Sequence, residues 1–166
     1  MASKASQITS LLEESKNNHG VFAIRYSKEL FKKDVIESPE EVKFGAWNTL
    51  LKGEKTAVVS YGPIIHKLIK QIKNKNLNVT VFEAVYVRPI LDKYIEELSK
   101  YERIVIFDAY STEVGFANTL VANLVSKGYK GKIIVKAIPN TFICHSTIEE
   151  QRKDLGISID KIIDIL

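Results

Sequence analysis

The chain has 166 residues, 45% hydrophobic and 27% charged, and its 24 lysines and arginines against 20 acidic residues give a formal net charge of +4. That length suits one domain and buries about two-thirds of the surface of the unfolded chain, so a core forms without disulfides or a structural metal. The single cysteine, Cys144, excludes an internal disulfide and a cysteine-based zinc cage, and no apolar run approaches the roughly 20 residues of a membrane span.

Met1 to Gln7 hold no apolar signal core. Together with the lone thiol this leads us to expect a cytoplasmic protein with no membrane partner. The lysines are spread along the chain, with Lys67, Lys70 and Lys73 on one expected helix face. A basic stripe interleaved with exposed aromatics is missing, so no nucleic-acid partner is expected.

Ile8, Leu11 and Leu12 predict a first helix, and Val21 to Ile24 a short strand. The charged stretch from Lys28 to Glu41, broken at Ser38-Pro39, reads as a linker. Thr56 to Tyr61 is the first strong strand, and Pro63 opens a helix with an apolar stripe of Ile64, Ile65, Leu68, Ile69 and Ile72. A strand is expected from Val79 to Val87, a helix at Tyr94, Ile95 and Leu98, and a buried strand from Ile104 to Phe107. Val114, Ala117, Val121, Leu124 and Val125 predict a helix with Gly128 just past its end. Lys132 to Ile138 follows as a strand, stopped by Pro139. Ser146 and Glu149 have capping-box spacing, and Ile159, Ile162, Ile163 and Leu166 mark a last helix. This alternation predicts right-handed crossovers and a mostly parallel sheet between helix layers.

Ligands of open α/β sheets bind beyond the carboxyl ends of the strands, here the turns after Tyr61, Val87, Phe107 and Ile138. No glycine-rich phosphate fingerprint is present. Cys144-His145 reads as a loop thiol beside a surface histidine, because neighbouring residues seldom face each other. His19, His66 and His145 are too scattered for a metal site. Among Asp108, Glu113, Glu149 and Glu150, Asp108 stands out because it ends a buried strand, where capping the next helix is an equal use. Trp47, with Phe44 and Leu50, is expected to pack on the domain. Arg25 carries a planar fork suited to a phosphate or carboxylate, with a surface or interface ion pair as the plainer alternative.

Taken in order, Ala23-Ile24-Arg25-Tyr26, Ser60-Tyr61-Gly62-Pro63, Val85-Tyr86-Val87-Arg88-Pro89, and Ile138 to Phe142 followed by Glu149 to Ile157 resemble the carboxyl-terminal part of the 1-deoxy-D-xylulose-5-phosphate synthase family, in the thiamine-diphosphate-dependent transketolase superfamily. The resemblance implies an α/β fold, a three-layer α/β/α sandwich on about five mostly parallel strands. It implies that residues 1–26 end a pyrimidine-binding domain with its last helix and strand, that 27–40 link, and that 41–166 form a transketolase C-terminal-like domain. The intact enzyme would be a homodimer, with its own N-terminal and pyrimidine-binding domains as partners of this part. It would condense pyruvate with glyceraldehyde 3-phosphate at thiamine diphosphate and magnesium, at the start of isoprenoid precursor synthesis and as a supply for thiamine and pyridoxal.

The Gly-Asp-Gly…Asn segment that holds the diphosphate and metal in the superfamily is not in this sequence, and the activating glutamate lies in a preceding domain. The chain alone is therefore expected to be an inactive, structural and dimerising fragment that binds neither cofactor, with no catalytic or metal residue of its own. Arg25 falls on the family's Arg-Tyr pair, where the arginine contacts the acceptor phosphate. A second phosphate-binding arginine precedes the family's Phe-Val-Lys-Pro segment; that position here is Val85, and the lysine position is Arg88. Alternation along an extended strand places Arg88 on the face opposite Val85 unless the strand ends early. The family's Glu-Glu strand end and glycine-rich turn are eroded here to Ala109-Tyr110 and Gly115-Phe116-Ala117-Asn118. These departures leave a different acceptor in a related transketolase-like or two-oxoacid dehydrogenase β-type enzyme, or a stand-alone α/β binding module, as alternatives.

Overall fold

The fold was described from a computed structural model that covers residues 1–17, 20–27 and 41–166. His19, Lys32, Lys33 and all but the last residue of the stretch from Lys28 to Glu41 lie outside the described residues, so the expected linker and the turn at His19 do too. The elements in chain order are α1 (Ala5–Asn17), β1 (Asn48–Leu51), β2 (Thr56–Ser60), α2 (Ile64–Asn74), β3 (Val79–Glu83), α3 (Asp92–Leu98), β4 (Arg103–Thr112), α4 (Phe116–Ser126), β5 (Lys132–Ile138), α5 (Ile148–Asp154) and α6 (Ile159–Ile163).

The sheet runs β1-β3-β2-β4-β5, with β3, β2, β4 and β5 parallel and β1 antiparallel on β3. Alternation along the strands builds two cores. Ala57, Val59, Phe82, Ile104 and Ile106 face α3 and α4, which bring Ile95, Leu98, Phe116, Leu120 and Leu124. Val58, Val81, Val105 and Phe107 face α2 and α6, which bring Ile65, Leu68, Ile72 and Ile162. Strands buried on both faces need apolar residues at every position, which is why β2 and the first half of β4 read as continuous runs. The result is a three-layer sandwich on a five-stranded, mostly parallel sheet. Lys67, Lys70 and Lys73 sit exposed on α2, opposite its buried isoleucines.

Because β2 leads to β3 on one side and β4 returns on its other side, the strand order reverses between β2 and β4. A crevice at the carboxyl ends of the strands opens at such a reversal.

Several local expectations shift. Val21 to Ile24 forms no strand, because no described strand lies alongside to complete a ladder; Phe22 and Ile24 instead pack on a third cluster with Leu11, Val42, Val85 and Tyr86. β3 stops at Glu83 rather than Val87: the Val85 N–H turns back to the Glu83 carbonyl at 3.1 Å. Beyond it Val85 and Tyr86 are buried in that third cluster, while Val87 packs on the core under α3 and α4. β4 runs on to Thr112, so α4 starts after Gly115 and leaves Val114 exposed. The capping box before α5 uses Thr147 and Glu150, one residue later than Ser146 and Glu149, since Ser-Thr-Ile-Glu-Glu allows both registers. β1 went unread: four residues without a β-branched run gain strand form only by pairing with β3. No helix of the described residues is long and apolar enough to cross a membrane.

Candidate functional site

The reversal point is organised by Asp108, which is fully buried at the end of the paired part of β4. Its Oδ1 accepts from Tyr61 Oη at 2.5 Å and from the Ser111 N–H at 2.9 Å, and its Oδ2 accepts from Ser111 Oγ at 2.5 Å. Burial, and then the Asp108 carboxylate, push the Tyr61 phenol far above its ordinary value. Tyr61 therefore stays a proton donor. Asp108 holds β2 to the irregular last part of β4.

The same stretch of β4 delivers Tyr110 to the start of α2. Its hydroxyl accepts from the Ile64 N–H at 2.9 Å, and its ring covers Gly62, where a Cβ would lie 2.7 Å from Tyr110 Cε2. Gly62 also has φ +71, so only glycine is comfortable there on both counts. The free N–H groups of a helix N-terminus are an anion's natural seat; here Tyr110 takes one of them. The Arg152 guanidinium lies over the Tyr110 ring at 5.7 Å.

One strand over, Asn48, Glu83 and Ser60 form a polar rung across β1, β3 and β2. Glu83 is 1% exposed, and its Oε2 accepts from Asn48 Nδ2 at 2.9 Å and Gln7 Nε2 at 3.1 Å. Gln7 belongs to α1, so this rung docks the amino-terminal arm onto the sheet. The Ser3 N–H donates to Gln7 Oε1 at 2.8 Å, Ser3 Oγ lies 3.1 Å from His66 Nε2, and the Met1 amine donates to the Val85 carbonyl. Burial, and then Arg25, push that amine down to about 6. Glu83 Oε1 and Ser60 Oγ are buried with no hydrogen-bond partner among the described residues.

Between the arm and the loop after β3 lies a cavity of about 430 Å³. Arg25 and Arg88 both line it, with apolar walls that include Phe22, Ile24, Phe44 and Val87. Arg25 Nη2 donates to the Tyr110 carbonyl at 2.9 Å, and Arg88 Nη2 donates to Thr119 Oγ1 at 3.1 Å. Tyr86 Oη is buried without a hydrogen-bond partner among the described residues, and burial, then Glu14, push its phenol up to about 12.

The remaining candidates fall outside this arrangement. Trp47 packs as expected: Nε1 donates to the Tyr86 carbonyl at 2.8 Å, and its ring stacks on Tyr94 at 4.7 Å. Cys144 is exposed, and its carbonyl accepts from Gln151 Nε2 at 3.0 Å. The Glu149 carboxylate pairs with Lys67 on the surface at 3.7 Å, and the Glu113 N–H donates to the Ile138 carbonyl. Glu150 closes the capping box, and its bonds to Thr147 hold its carboxyl below the usual range. Sequence reasoning missed Gln7, which lies in no motif, and the contact of Tyr110 with the start of α2; only the tertiary fold brings them to the edge.

The family model described as "Transketolase, C-terminal domain" matches residues 45–162. The chain belongs to the transketolase C-terminal domain family. Curated relatives agree. The chain is 32% identical over 157 residues to 1-deoxy-D-xylulose-5-phosphate synthase of Azobacteroides pseudotrichonymphae genomovar. CFP2, covering 90% of this chain and 24% of that protein. To the synthase of the same name from Thermotoga petrophila it is 29% identical over 154 residues, again 90% against 24%. The chain thus spans about a quarter of the length of these relatives. A solved structure described as "Split gene transketolase, inactive beta4 tetramer" superposes with a TM-score of 0.66 at 17% identity, over 79% of this chain and 44% of that one, which supports the fold. The Tyr110 hydroxyl occupies an N–H at the start of α2, and no trio of His, Cys, Asp or Glu among the described residues is grouped as metal ligands.

Proposed function

We propose that the chain is the C-terminal domain of a 1-deoxy-D-xylulose-5-phosphate synthase-type enzyme, a thiamine-diphosphate-dependent transferase that condenses pyruvate with glyceraldehyde 3-phosphate. Residues 1–26 then end the preceding pyrimidine-binding domain, 27–40 link, and 41–166 are the C-terminal domain. The remaining domains of the same enzyme hold thiamine diphosphate and magnesium and carry the chemistry. This domain buttresses a cytoplasmic homodimer and contacts the acceptor. Taken alone, it turns nothing over and takes up no thiamine diphosphate.

The observation that carries the reading is Arg25. It lies at the carboxyl edge of the sheet, on a cavity next to the strand reversal, with its guanidinium anchored on the Tyr110 carbonyl. A guanidinium offers five N–H donors in a fork that matches phosphate oxygens, and anchoring one of them orients the rest. A charge-assisted hydrogen bond contributes about 1.5–3 kcal/mol. In the full-length enzyme, Arg25→Ala should therefore raise the KM for glyceraldehyde 3-phosphate roughly 10- to 150-fold and leave the KM for pyruvate near its original value. Equal effects on both substrates would refute the phosphate role. Product from the isolated chain with pyruvate, glyceraldehyde 3-phosphate, thiamine diphosphate and magnesium would refute the division of labour.

Val85 favours a second reading. It is an apolar, buried residue at the position where the family places an arginine, which suits a different acceptor. Acceptor competition on the full-length enzyme separates the two: undiminished preference for glyceraldehyde 3-phosphate rejects the second.

A further inference from the structure

We propose that Arg88 is a specificity-determining residue: it supplies the second guanidinium of the cavity and moves the anion seat from the end of β3 to the loop beyond it. The proposal rests on the acceptor-pocket reading above and adds a residue to it.

The backbone makes this possible. Regular alternation to Val87 would have turned Arg88 away from the side that Val85 faces. β3 ends at Glu83, however, and Val85 turns back on it, so residues 85–89 form a loop to which strand alternation does not apply. Val85 itself is 2% exposed and packed with Leu11, Val42 and Tyr86, so it brings no charge. Relative to the family pattern, the charge lost at residue 85 meets a change from lysine to arginine at residue 88. A planar fork thus stands where the family has a point charge.

The electrostatics point the same way. Arg25 and Arg88 both line one cavity, Arg25 from the segment after α1 and Arg88 from the loop after β3. Each is held by a single hydrogen bond, to the Tyr110 carbonyl and to Thr119 Oγ1, and neither forms an ion pair with a carboxylate among the described residues. Thr119 is itself fixed, its Oγ1 donating to the Gly115 carbonyl at 3.2 Å at the start of α4. Two like charges on one apolar-walled cavity repel, and a compact anion between them relieves the repulsion while taking up their remaining N–H donors. The ligand class is a phosphomonoester. A carboxylate shares the chemistry with less charge and should bind more weakly.

The test is a titration of this chain, followed by amide chemical shifts, with glycerol 3-phosphate and separately with glycerate as the carboxylate. Glycerol 3-phosphate should bind the more tightly. Arg88→Ala and Arg25→Ala should each weaken it at least tenfold, while Lys67→Ala on the surface of α2 should leave it unchanged. Both arginines are exposed at the cavity rim, so the variants should fold, and their circular dichroism checks this. Unchanged affinity in Arg88→Ala with a loss in Arg25→Ala overturns the role of Arg88 and leaves the acceptor-pocket reading intact. Failure of the unaltered chain to bind, or an equal loss in Lys67→Ala, overturns both.

Discussion

At the amino ends of the strands, Thr80 Oγ1 accepts from the Gly53 N–H at 2.9 Å, donates to the Gly53 carbonyl at 2.8 Å and receives Tyr101 Oη at 3.0 Å. At the carboxyl ends of the neighbouring strands, Ser60 Oγ and Glu83 Oε1 are also buried and have no hydrogen-bond partner among the described residues. The same sheet thus closes one edge with hydrogen bonds used on both sides and leaves polar atoms at the other edge unpaired among the described residues. Even here the two halves differ. The Asp108 hub between β2 and β4 is saturated, whereas the Glu83 rung under the amino-terminal arm is not.

The sharpest way to break this comparison is Asp108→Ala. It leaves the Tyr61 and Ser111 hydroxyls and the Ser111 N–H without their acceptor, and each unsatisfied buried donor costs about 1–3 kcal/mol. We expect a total loss of about 3–5 kcal/mol in urea unfolding; a loss below about 1 kcal/mol would show that the hub does not hold the edge. Thr80→Val comes next. It keeps the volume but leaves the Gly53 backbone groups unpaired, so about 1–3 kcal/mol should be lost. Ser60→Ala removes a hydroxyl of similar burial that has no hydrogen-bond partner among the described residues, and should be neutral or slightly stabilising. Equal losses from Thr80→Val and Ser60→Ala would erase the distinction between the two edges.

The smallest effect is one of pH. The folded state holds the Tyr61 proton more tightly than the unfolded chain does, because burial and Asp108 both oppose the phenolate. The stability this contributes is complete below the ordinary tyrosine value of about 10 and is lost as pH rises above it. Tyr61→Phe should therefore flatten the fall in stability measured from pH 9 to pH 11. An unchanged slope would assign that fall to other groups, such as Tyr86, whose phenol is pushed up to about 12.

The order of elements in the domain proper, the parallel sheet and the apolar faces of α2 and α4 are legible in the sequence because burial on fixed periods is a local signal. So is the candidate Arg25, whose resemblance to a family motif is carried by a short contiguous segment. The end of β3 is not legible. Val85 and Tyr86 continue the apolar pattern of the strand, and only the third cluster, assembled from α1 and the segment after it, decides that they leave the ladder. The strand expected at Val21 to Ile24 fails for the matching reason: apolar residues ask for burial but do not say whether a neighbouring strand or a helix provides it. Arg88 therefore reaches the Arg25 cavity, and Tyr110 the start of α2, through contacts between residues far apart in the chain. Local spacing encodes which face of an element is buried; which charged side chains meet at a strand end depends on where each strand stops, and that is settled by packing across the whole fold.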